Sequence, residues 1–150
     1  MSNVILQGNA SGTGTTTLQS SNTNSTTTLS LPEPAEAVTL GFLNIPQNSQ
    51  SAAYTLVITD AGKQIFHPSA DTTARTFTIP ANSSVAFPIG TGITFINQNA
   101  AGVVTISITT DTMRLAGAGT TGSRTLAANG IATCVKVTST EWIISGTGLT

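Results

Sequence analysis

Short stretches in which apolar and hydroxyl side chains alternate recur along this chain, and no window replaces them with apolar residues at i, i+3, i+4 and i+7. That period-two pattern, broken by Gly, Pro, Asn and Asp, is the signature of strands and turns rather than helices. The clearest case is Gly102–Asp111. There Val104, Ile106 and Ile108 share one face and Thr105, Ser107 and Thr109 the other, as in a strand half-buried in an antiparallel sheet.

The same pattern predicts strands at Ala37–Leu43, Ala53–Thr59, Lys63–His67, Arg75–Ile79, Ser84–Pro88, Gly92–Asn97, Ile131–Thr138 and Glu141–Ser145. Asp60–Gly62, Pro80–Asn82 and Ser139–Thr140 supply turns. Ile131–Thr138 carries apolar residues on both faces, Ile131, Val135 and Val137 against Ala132 and Cys134, so it reads as a central strand packed on both sides. With no crossover helix to join parallel strands, the expected fold is all-β, an antiparallel β-sandwich or jelly-roll. Its expected core includes Leu56, Ile58, Phe77, Val85, Phe87, Phe95, Ile106 and Val135.

The first third has a different texture. Between Gly8 and Ser30 the apolar residues are Ala10, Leu18 and Leu29, and Thr-Thr-Thr-Leu occurs twice, at Thr15–Leu18 and Thr26–Leu29. Such a segment buries too little to hold itself, so 1–34 reads as an extended N-terminal arm laid on another surface and 35–150 as the β domain, with Pro32 and Pro34 at the passage. The candidate contact residues of the arm are Val4, Ile5, Leu6, Leu18, Leu29 and Leu31. A looser echo links Arg75–Asn82 with Arg124–Asn129, either as two hairpins with similar turns or as a duplication.

Only 7% of the 150 residues are charged, against about a quarter in ordinary soluble domains, so threonine, serine and asparagine must cover the surface. Five cations and a formal net charge of −1 cannot neutralise a run of phosphates, so nucleic acid is not an expected partner. No apolar run has the length of a membrane helix, aromatic residues are too few for the girdles of a membrane barrel, and the N-terminus lacks the pattern of a secretory signal. No membrane association or export is therefore expected. One cysteine excludes an intrachain disulfide, and the sequons at Asn9, Asn24 and Asn82 read as polar turns.

Chemistry-bearing motifs are sparse. Gly117-Ala-Gly-Thr-Thr-Gly122 has the spacing of a dinucleotide loop, with Glu141 near the distance of a ribose-binding acid, but no helical pattern follows it, so a glycine-rich turn is expected. His67 is the one histidine and reads as a satisfied turn residue near Asp60 and Asp71. The acids Glu33, Glu36, Asp60, Asp71, Asp111 and Glu141 form no close pair apart from Glu33 and Glu36, which flank Pro34. Cys134 and Trp142 read as core residues, the tryptophan alternatively as a subunit contact or a sugar-stacking platform. No catalytic residue, metal ligand or cofactor is expected, and the chain reads as non-enzymatic.

Tyr54–Lys63, the string Phe77-Thr-Ile-Pro-Ala-Asn-Ser-Ser-Val-Ala-Phe-Pro-Ile-Gly90, Ala132–Val137 and Trp142–Gly148 together resemble a small β domain common near the C-termini of tailed-bacteriophage structural proteins. The opening, Leu6–Gly14 through Asn22–Asn24 to Leu29–Pro32, is similar to the N-terminal segment of some phage virion proteins. The resemblance implies a virion component, assembled in the host cytoplasm. Fibre proteins carry long repetitive shafts before such a domain, and this chain has none. That departure favours a capsid decoration or cement protein, by analogy a homotrimer whose arms reach over the major capsid protein or another virion protein. The alternative is a fibre-tip, spike-tip or tail-adaptor module that binds a host surface glycan, through Trp142, Tyr54 or polar loops, or another virion protein.

Overall fold

The computed structural model describes residues 44–98 and 100–150. The expected arm, its six candidate contact residues and the strand at Ala37–Leu43 lie outside the described residues. The described chain is all-β. Its strands are β1 (Gln47–Ser49), β2 (Tyr54–Thr55), β3 (Gln64–His67), β4 (Arg75–Ile79), β5 (Gly92–Asn97), β6 (Val104–Ile108), β7 (Thr112–Leu115), β8 (Arg124–Lys136) and β9 (Glu141–Leu149), with one 3₁₀ turn at Ile58–Asp60.

The pairing corrects the antiparallel sandwich or jelly-roll. Strands β1, β3 and β5 stack in parallel as one file, and β2, β4 and β6 stack in parallel as a second. The chain passes from one file to the other and back, so the strand of one file serves as the crossover of the other. Parallel pairing needs a long connection between partners, usually a helix. Here the connection from β3 to β5 contains β4, and no helix is required.

Antiparallel pairing enters only with β8. Its first residues, Arg124–Leu126, lie against β6, and Ile131–Val135 lie against β5, so one long strand extends both files. Between these halves Asn129 takes a left-handed φ of 62°, and the ladder to β9 shifts register between Leu126 and Ile131. Strand β9 runs antiparallel along the other edge of β8, and β7 pairs with β9 in parallel. The result is a curled nine-stranded sheet.

Alternation decides what faces inward. Ile65, Ile93, Phe95, Ala132, Cys134, Trp142 and Ile144 from the β3–β5–β8–β9 side meet Leu56, Phe77, Ile79, Val104, Ile106 and Leu126 from the other file in one buried cluster, with Met113 of β7. Full burial of a Phe or Ile side chain is worth about 1.5–3 kcal/mol. Gly102, two residues before β6, allows the 73–74 backbone to pass close by. A Cβ there would stand 2.3 Å from the Thr73 carbonyl carbon.

Several sequence expectations shift in detail. Arg75–Ile79 and Gly92–Asn97 form as expected, but Ser84–Pro88 is not a strand. Pro80 and Pro88 bound it, Ser84 and Val85 donate their amides to Ala81 O, and only Phe87 of this segment is buried. The strand at Ala53–Thr59 stops at Thr55, because Asp60 turns the chain by accepting a bond from the Val57 amide. Ile58 is therefore exposed rather than in the core, and Val135, on the outer face of β8, is exposed as well. Central though β8 is in the ladder, only one of its faces is buried. Strand β1 had no apolar residue to reveal it, and β7, which alternates Thr112, Met113, Arg114 and Leu115, was too short to stand out.

Candidate interaction surface

The outward rows of the β3–β5–β8–β9 side are apolar or hydroxyl. Phe66, Ile96 and Ile131 are register partners in one row, and Gln64, Thr94, Thr133 and Ser145 form the next. Thr94 and Thr133 share a hydroxyl hydrogen bond of 3.1 Å. Val135 stands opposite Ile143 in a third row, with Val137 just beyond. Ile131 is 47% exposed and Val135, Val137 and Ile143 nearly 40%, and the third row ends at Arg114, the register partner of Ile143, which is paired with Glu141. Exposed apolar residues rimmed by hydroxyls and one ion pair are a composition found at protein contacts.

The other file presents a different exterior. Thr76, Thr105 and Thr125 are register partners, as are Thr55, Thr78 and Ser107, so its outer face is a comb of hydroxyls. This face offers hydroxyls and few apolar contacts.

The chemistry-bearing side chains separate into distinct clusters. Asp60, 1% exposed, accepts from Tyr54 Oη at 2.7 Å, Asn48 Nδ2 at 2.9 Å and the Val57 amide at 2.9 Å, with Lys63 Nζ at 4.0 Å. Burial, and secondarily the Asp60 carboxylate, push the Tyr54 phenol above its usual range. This network closes the core beside β1 and β2, the outermost strands of the two files.

His67 and Asn97 are register partners that face inward from β3 and β5, both fully buried. The Asn97 amide donates to Gly102 O at 2.9 Å and Leu126 O at 3.1 Å, which turns its oxygen toward His67 Nδ1 at 2.9 Å. Nδ1 is therefore the donor in that bond. The other ring nitrogen faces Asp71 Oδ2 at 3.1 Å, and Arg75 grips the same carboxylate through Nε at 2.6 Å and Nη2 at 3.2 Å. The Arg75 guanidinium holds the Asp71 carboxyl well below the usual carboxylate range, with help from His67 and the Thr73 amide. Asp71 in turn raises Arg75.

Glu141 is elsewhere, paired with Arg114 Nε at 2.7 Å. Asp60, His67 with Asp71, and Glu141 thus stand in three separate clusters and do not converge on a cleft. Among the described residues no group of three or more His, Cys, Asp or Glu is placed to hold a metal ion. An open groove of about 300 Å³ between β6, β7 and residues 121–123 carries one carboxylate, Asp111.

The glycine-rich motif lies between β7 and β8. Gly117, Gly119 and Gly122 all take positive φ, and a strand rather than a helix follows, so no helix N-terminus faces the loop. Cys134 is buried against Met113, and burial pushes its thiol up to about 12. Trp142 is fully buried, edge-on to Phe87, and its Nε1 has no hydrogen-bond partner. That placement answers the sugar-platform reading, since a buried ring offers no face to a glycan.

Sequence reasoning missed Asn97 and Lys136 as buried polar residues. Both were legible by parity, Asn97 after Ile93 and Phe95, and Lys136 after Ala132 and Cys134. Compared with known proteins, the chain matches no family model and no curated protein.

Proposed function

We propose that this chain is a non-enzymatic component of a tailed-phage virion, a decoration or cement protein that binds the outside of the shell as an oligomer, a homotrimer by analogy. The observation that carries the binding part of this reading is the largely apolar outer face of Phe66, Ile96, Ile131, Val135, Val137 and Ile143, bordered by the Arg114–Glu141 pair. Burying such a face against a second copy or the major capsid protein adds contact area to the shell and stabilises the bound state by mass action. The phage context rests on the strings quoted above, the most specific of which, Ile79–Pro88, spans the end of β4 and the turn after it. The arm residues Val4, Ile5, Leu6, Leu18, Leu29 and Leu31 remain its proposed contacts on the neighbouring subunits.

The deciding experiment counts copies of the chain per particle on separated heads and tails. A ratio commensurate with the shell lattice on heads is the expected result, and a handful of copies on tails transfers the proposal to a tail-adaptor or fibre-tip module. Deleting Ser2–Leu31 should abolish capsid binding while the β domain still folds. Because the two charges bordering the face are paired with one another, binding should change little between low and moderate ionic strength.

A further inference from the structure

Lys136 is the last residue of β8 and points inward, 1% exposed. Its Nζ donates to Asn82 Oδ1 at 2.6 Å and lies 5.5 Å from the centroid of the Trp142 ring. Lys63, Arg75 and Arg114 each have a carboxylate partner, whereas Lys136 has none among the described residues. A lysine amine is a nucleophile once it has given up its proton, and this one is held against a carboxamide.

The surroundings fix both partners. The Lys136 amide donates to Thr91 O at 2.9 Å, and its carbonyl accepts from the Gly90 amide at 2.8 Å, so the segment carrying Asn82 is stitched to the end of β8. The Asn82 backbone N–H donates to Asp111 Oδ2 at 3.0 Å, which sets a carboxylate beside the backbone of residue 82. Phe87 and Trp142, in edge contact with one another, wall the site on the core side.

We propose that Lys136 and Asn82 form an intramolecular isopeptide bond. The neutral Nζ attacks Cγ of Asn82, the new C–N bond forms, and the Cγ–Nδ2 bond breaks. Nδ2 departs as ammonia, carrying the proton shed by Nζ, and no oxidant, metal or co-reactant is consumed. The hydrogen bond from Nζ to Oδ1 already places the amine next to the carbon it must reach, which is the proximity such a reaction needs. Asp111, the carboxylate held at the Asn82 backbone N–H, is assigned the proton relay from Nζ to Nδ2. The product is a neutral amide, so the reaction also removes the unpaired buried amine. It ties the turn after β4 to β8 across 54 positions, in a chain whose single cysteine permits no internal disulfide.

The test is the mass of the intact, denatured full-length chain together with peptide mapping. The expected result is a mass lower than the sequence by one ammonia and a branched peptide joining Asn82 to Lys136. Asn82→Ala and Lys136→Met should each restore the full sequence mass. Asn82 sits in a turn, so its variant remains informative if the lysine variant fails to fold. Asp111→Asn should slow accumulation of the link by about a hundredfold, as loss of general acid–base catalysis does. A full sequence mass in both fresh and aged protein would overturn the proposal. Loss of ammonia without a branched peptide would overturn it too, since that marks a succinimide at Asn82-Ser83. Asp111→Asn linking at the parent's rate would remove Asp111 from the reaction. None of these outcomes bears on virion location, which the copy count decides separately.

Discussion

The two files share one core and one rung spacing, yet they distribute polarity in opposite senses. The β2–β4–β6 file is apolar inside, with Phe77, Ile79, Val104 and Ile106, and hydroxyl outside, with Thr76, Thr78, Thr105 and Ser107. The β3–β5 file buries a polar pair, His67 and Asn97, and together with β8 and β9 exposes Ile131, Val135 and Ile143. The first arrangement is what burial alone selects. The second departs from that pattern on both faces, which is why the proposed contact is placed on this side.

The largest expected effect lies in the conventional file. Phe77→Ala removes a fully buried ring from between the files and should cost about 3–5 kcal/mol, read from the urea midpoint. A loss near 1 kcal/mol would mean that the files pack less tightly than their burial implies.

Next comes the buried polar rung. Asn97→Ala leaves His67 Nδ1, Gly102 O and Leu126 O without their partner, and should cost about 3 kcal/mol, since each abandoned buried group costs about 1–3 kcal/mol. If Asn97→Ala proves neutral, the polar interior of this file contributes nothing to folding and the contrast between files is confined to their exteriors.

A pH titration sharpens the same contrast. Asp71 has its folded-state pKa depressed by Arg75, so its contribution to stability is complete above the unfolded carboxylate range. That contribution falls away as pH drops below about 4 toward the much lower folded value. Asp71→Asn should therefore flatten the acid limb of the stability curve, and an unchanged limb would show that the Arg75 pair is not what holds the carboxylate down.

Cys134 reports on the β8–β9 packing without changing it. With its thiol pushed up to about 12 by burial, it should resist iodoacetamide at pH 8 in the folded protein and react fully in urea. Labelling at the rate of a free thiol would mean that β9 opens from β8.

The smallest effect on the isolated chain belongs to the exposed rows. Ile131→Thr combined with Ile143→Thr should change monomer stability by less than about 0.5 kcal/mol per site while weakening self-association in sedimentation. Association that survives these changes would place the contact on the hydroxyl face instead.

Much of the fold was legible because alternation is a local property. Arg75–Ile79 and Gly92–Asn97 were readable to the residue, and Leu56, Phe77, Phe87, Phe95 and Ile106 are buried as expected. The shortest elements were not legible: β1 is polar on both faces, and the four residues of β7, although Met113 and Leu115 share its inner face, are too few for the alternation to stand out. Ser84–Pro88 misled because two prolines mimicked the ends of a strand. The interaction surface was half legible, since Ile131, Val135 and Val137 were recognised as one face, but that face was assigned to the interior.

The sequence by itself determined that the described chain is built of strands, which side of each strand is apolar, and that charge plays a small part on its surface. Periodicity and composition are carried by neighbouring residues and need no partner to be read. Only the tertiary structure decided that the strands stack in two parallel files, that His67 meets Asn97 and Asp71 rather than Asp60, and that Lys136 meets Asn82. Pairing direction and buried polar contacts depend on residues far apart in sequence, and a period-two pattern is identical in parallel and antiparallel strands.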